Sequence, residues 1–82
     1  NPFNPTTLIK YDLPEAKNVQ VTIYDIMGRK VRTLVNEFQD IGYRTIQWNA
    51  ADDYGRPVSA GMYIYTIQAG DFRQIKKMVL LK

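Results

Sequence analysis

Cysteine and histidine are both absent from the 82 residues, and each absence removes a class of function. Without cysteine there is neither a disulfide framework nor a thiolate metal site to supplement the core. Without histidine the chain lacks the commonest general base and the commonest transition-metal ligand. No apolar run reaches the length of a membrane span, no signal peptide is visible, and no stretch carries a convincing helical period. At this length a single domain with one pair of layers is expected over residues 1–82, too small to enclose an active site comfortably. No catalytic residue, cofactor or metal ligand is therefore assigned. The chain begins at Asn1 and not at Met, and we expect it to be a piece of a longer protein, with any export signal lying upstream.

The charge balance is modest, with a net charge of +3. Basic residues gather at Arg29, Lys30 and Arg32 and again at Arg73, Lys76, Lys77 and Lys82. Such a balance mainly serves solubility, and a nucleic-acid interface would need a basic stripe interleaved with aromatics. Nucleic acid and membrane insertion are both excluded as expectations.

What is plentiful is alternation. Ile9, Tyr11 and Leu13 share one face of a strand from Thr7 to Leu13, which Pro14 ends. Val19, Val21 and Ile23 repeat the pattern up to Asp25, where Asp25-Ile26-Met27-Gly28 reads as a hairpin turn with Gly28 at positive φ. From Lys30 the stretch KVRTLVNEF breaks strict alternation, and one bulge near Thr33 would reconcile Val31, Leu34 and Val35. After a turn at Asp40-Ile41-Gly42, Ile46 and Trp48 alternate with polar residues, and Trp48 is the largest expected core residue. A turn-rich connection, with Pro57-Val58 as a brief edge strand, leads to two closing strands joined at Ala69-Gly70-Asp71. Six or seven short antiparallel strands with turns between them predict an all-β, immunoglobulin-like sandwich. No internal repeat is evident. Before the first strand, Asn1-Pro2 and Asn4-Pro5 force residues 1–5 into an extended, rigid lead-in, in which Phe3 is expected to anchor against the sandwich rim.

The segments NPFNPTTLIKYDLP, VTIYDIMGRKVRTL, DDYGRPVSAGMYIYTI and KKMVLLK, with the strand ending in Trp48, follow one another across the whole chain. This ordered set resembles the C-terminal sorting domain of type IX secretion cargo. It is also similar to the immunoglobulin-like domain of flagellar hook-capping proteins, which shares the tyrosine-aspartate-x-x-glycine turn, the tryptophan strand and the glycine-x-tyrosine strand. Residues that match the shared pattern are Gly28, Trp48, Gly61 and Tyr63, with Lys77 to Lys82 at the end. The sorting-domain resemblance implies a non-catalytic signal for a larger exported protein. Its partners would be the type IX secretion machinery and the upstream cargo domain, and its destination the cell surface or medium, by way of the periplasm of a Gram-negative-type bacterium.

The ending Lys76-Lys77-Met78-Val79-Leu80-Leu81-Lys82 carries most functional information. Met78 and Leu80 share one face and Val79 and Leu81 the other, so both faces call for cover. Either the strand is central with its second face closed, or part of it docks onto a partner. Core packing is the expected role of Met62 and Ile64, opposite Tyr63, Tyr65 and Ile67. Asp52 and Asp53 beside Asn49 invite a calcium reading, but turn chemistry explains them better because no complete ligand loop follows. Tyr24, Tyr43, Tyr54 and Tyr65 keep a carbohydrate-binding module open as an alternative, beside a structural domain of the hook-capping kind.

Overall fold

The computed structural model describes residues 6–81. Phe3, the lead-in 1–5 and Lys82 lie outside the described residues. Six strands follow in order: β1 (Thr7–Leu13), β2 (Lys17–Asp25), β3 (Lys30–Gln39), β4 (Gly42–Trp48), β5 (Gly61–Ala69) and β6 (Phe72–Leu80). All pairings are antiparallel, and the strands form a two-stranded sheet, β1-β4, and a four-stranded sheet, β3-β2-β5-β6. The expected all-β sandwich is thus observed. The expected strand at Pro57-Val58 is reduced to a single bridge between Ala51 and Pro57, because Pro57 has no N–H with which to extend a ladder.

Alternation sets the core. Ile9, Tyr11 and Leu13 on β1, with Trp48 on β4, face Val19, Val21 and Ile23 on β2 and Tyr63, Ile67 and Ala69 on β5. The Tyr11 hydroxyl donates to Oε1 of Gln39 and ties the small sheet to the end of β3. The pairing of Thr7 with Trp48 and of Gly61 with Leu80 places the start of β1 and the end of β6 at the same end of the sandwich as the Trp48–Tyr63 contact.

The irregular strand holds two bulges where one was expected. Register shifts between Val21 and Thr22 and between Ile23 and Tyr24 leave Leu34 and Val31 without partners on β2. Each extra residue reverses the facing of the strand once. That double reversal lets Val31, Leu34 and Val35 all pack toward one core.

Candidate recognition strand and its supporting turns

β6 is an edge strand. Among the described residues it pairs only with β5, so the reading of a central strand with a closed second face is corrected. Leu80 is buried and Met78 packs against the core. Val79 and Leu81 point the other way and are 60% and 78% exposed. Met62, directly across from Val79, is also exposed, and Ile64 beside it is half-buried on that same outer face. Their expected core role is corrected too, because the small sheet covers only one face of the large one. Lys76 and Lys77 are exposed. The ion pairs among the described residues are Glu15–Lys17, Asp25–Arg29 and Asp52–Arg56, so none involves β6. The strand therefore carries Arg73, Lys76 and Lys77 as uncompensated positive charge next to an apolar strip.

The residues of the shared pattern hold the connection between the sheets. Trp48 is fully buried, and its indole Nε1–H donates to the Ala51 carbonyl at 2.9 Å. The ring meets Tyr63 edge-on, with centroids 5.2 Å apart. The Tyr63 hydroxyl donates to the Ser59 carbonyl at 2.6 Å, just ahead of Gly61, which opens β5. Two aromatic rings thus pin both ends of the turn-rich connection to the core. Buried aromatic polar tips need such partners.

Two turns at this end are built alike. In the first, the N–H groups of Met27 and Arg29 donate to Oδ1 of Asp25 at 2.9 Å, and Arg29 Nε donates to Oδ2 at 2.9 Å. In the second, the N–H groups of Tyr54 and Arg56 donate to Oδ1 of Asp52 at 2.9 Å, and Arg56 Nε donates to Oδ2 at 3.0 Å. Gly28 and Gly55 occupy the same place in each, at φ +84° and +80°, a conformation that costs a residue with a Cβ. Asp25-Ile26-Met27-Gly28-Arg29 and Asp52-Asp53-Tyr54-Gly55-Arg56 are one D-x-x-G-R turn used twice. The expectation of no internal repeat is corrected at this short scale, and the five-residue pattern was there to be found in the sequence.

The same bonds account for the aspartates. The carboxylate of Asp52 is taken up by its own turn, and Oδ1 of Asp53 accepts the Thr33 N–H at 3.0 Å. No group of three or more metal-ligating side chains occurs among the described residues. The Arg29 N–H holds the Asp25 carboxyl below its ordinary value of 3.8, helped by the Arg29 guanidinium. The Arg56 N–H does the same for Asp52, with the Tyr54 N–H and the Arg56 guanidinium adding to it.

A carboxyl depressed by folding stabilises the native state fully above its unfolded pKa, and that contribution is lost as pH falls through the folded value. Thermal midpoints measured from about pH 6 down to about pH 2 should therefore decline. The double variant Asp25→Asn/Asp52→Asn should start lower at neutral pH and decline less steeply. Parallel acid limbs for the two proteins would show that the turns make no such contribution.

The tyrosines do not make a sugar platform. Tyr24 lies on the outer face of the large sheet and Tyr65 on its inner face, where burial pushes its phenol pKa up. Tyr54 sits in the second turn beneath the Arg56 guanidinium, 4.9 Å from the ring centroid, and Tyr43 projects from β4. These are separate surfaces.

A family model described as the FlgD Ig-like domain matches residues 4–71. The chain belongs to that family. FlgD of P. aeruginosa has a similar fold, with a TM-score of 0.71 at 24% identity over 92% of this chain and 59% of that one. FlgD from Xanthomonas campestris, whose hook capping is essential for flagellar assembly, gives 0.72 at 22% identity over 94% and 56%. Dimeric latent PorU from Porphyromonas gingivalis gives 0.68 at 24% identity over 96% of this chain and 8% of that one. At these identities the likeness is one of fold. The chain spans less than two thirds of either FlgD protein. No curated protein sequence matches it. The sequence match ends at Asp71, while the similar FlgD folds cover 92% and 94% of the chain and so reach into β6.

Proposed function

We propose that this FlgD-like domain is a non-catalytic delivery module. It directs a larger exported protein through the type IX outer-membrane translocon to the cell surface or medium, and β6 is its recognition strand. One observation carries the reading: among the described residues β6 is a strand with a free edge, bearing Arg73, Lys76 and Lys77 and no acidic residue. The similar fold within PorU, where it occupies 8% of the chain, is consistent with a small module serving a far larger protein. A structural role of the hook-capping kind is the second reading, favoured by the family match itself.

The test fuses the domain to the C-terminus of a periplasmic reporter in a type IX-competent bacterium. The intact fusion should deliver the reporter to the surface. Val79→Ser/Leu81→Ser and Lys76→Glu/Lys77→Glu, which change only exposed side chains, should reduce delivery to the level of the reporter alone while circular dichroism of the isolated domain stays unchanged. Retention of the intact fusion in the periplasm, with the domain folded, would reject the delivery role and leave the structural one.

A further inference from the structure

One long side of the sandwich is open. Among the described residues, β1 and β6 are each paired on a single side. Between them runs a groove of about 390 Å³ walled by Tyr11, Leu13, Ile67 and Ala69, with Phe72 and Gln74 of β6 along its margin. Its lining is mainly apolar and includes Asp12, Glu15 and Lys17 but none of the basic residues of β6, of which Arg73 and Lys77 lie on the outer face.

The two edges of the large sheet are treated differently. On β3 two bulges interrupt the strand, and the chain's own loop covers part of it. The Asp53 N–H donates to the Val31 carbonyl at 3.0 Å, and the Asp53 carboxylate accepts the Thr33 N–H at 3.0 Å. On β6 the pairing with β5 runs without a shift from Gly61–Leu80 to Ala69–Phe72. The strand contains no proline, and no described segment pairs with its free side. An unbroken edge of this kind presents a row of unpaired backbone donors and acceptors. Its composition selects the partner: β6 has three basic residues, Arg73, Lys76 and Lys77, and no acidic one. A second copy of the chain would set these cations against each other, and like charges across a strand pair are destabilising.

We propose that β6 binds an extended acidic peptide segment of another protein by strand addition. Backbone hydrogen bonds to the free edge give affinity, alternate apolar side chains of the peptide enter the groove over Leu13, Ile67 and Ala69, and intervening carboxylates face Arg73 and Lys77. This uses the same strand as the delivery reading but stands on edge geometry and charge, and its test includes no secretion step, so either can fail alone.

The probe is a short peptide of alternating valine and glutamate, titrated into the labelled domain and followed by amide chemical shifts and hydrogen exchange. Binding should slow exchange along β6. The same peptide N-methylated at alternate residues, which keeps its side chains and loses edge donors, should bind at least about tenfold more weakly, as should a valine–lysine peptide. Arg73→Glu/Lys77→Glu should reverse the preference between the glutamate and lysine peptides. The proposal is overturned by absence of binding, by affinity indifferent to N-methylation, or by shifts centred away from β6. Self-association of the free domain through β6 would overturn it as well, making the occupant a second copy.

Discussion

Trp48→Ala is expected to cost about 3–5 kcal/mol, the usual range for removing a large aromatic from a core. At roughly 0.05–0.15 kcal/mol per residue, a domain of this size has about 4–12 kcal/mol to lose, so the variant should forfeit a large share of its stability and unfold at a much lower urea concentration. The loss has three components. The indole is fully buried, its edge contact with Tyr63 joins β4 to β5, and its N–H satisfies the Ala51 carbonyl. Trp48→Phe separates them by keeping an aromatic ring and removing the donor, and should cost about 1–3 kcal/mol, the range for leaving a buried acceptor unmet. Urea denaturation followed by far-ultraviolet circular dichroism is the suitable measurement, because Trp48 is the sole tryptophan and its fluorescence disappears with it. An alanine variant with an unchanged midpoint would contradict the assignment of Trp48 as the centre of the core.

Leu80→Ala should cost about 2–5 kcal/mol, whereas Val79→Ser, one residue away, should stay within about 0.5 kcal/mol. The contrast follows from the pleat, which turns Leu80 into the core and Val79 to solvent. Equal losses at the two positions would mean that the strand is not in the register described. The comparison also governs how recognition is probed. Deleting the whole KKMVLLK segment removes a core leucine together with the exposed strip, and a delivery defect would then report unfolding as readily as lost docking.

The strand pattern was legible because the signal is local. Residues such as Ile9, Tyr11 and Leu13 or Val19, Val21 and Ile23 declare an inward face by their spacing alone, and Pro14 and Gly28 mark where the chain turns. Strand order was not legible. Met78, Val79, Leu80 and Leu81 are apolar at every position, which reads as burial on both faces. Only the long-range pairing of β5 with β2 on one side and β6 on the other places that run at an edge. For the same reason Met62 and Ile64 were expected inside. The count of bulges in β3 was likewise beyond reach, since an irregular run such as KVRTLVNEF is compatible with one or two until its partner is known. The candidate site was visible as a composition, lysines beside an apolar run, and its openness required the fold.

The paired bulges of β3 constrain how this chain can change length over evolution. Leu34 and Val31 have no partner on β2, so deleting either removes one bulge and leaves every paired residue on its face, whereas a single deletion in an unshifted ladder turns over all side chains beyond it. Single-residue gaps among descendants of this sequence should therefore fall at these two positions and not in the β5–β6 ladder, which has no shift to absorb them.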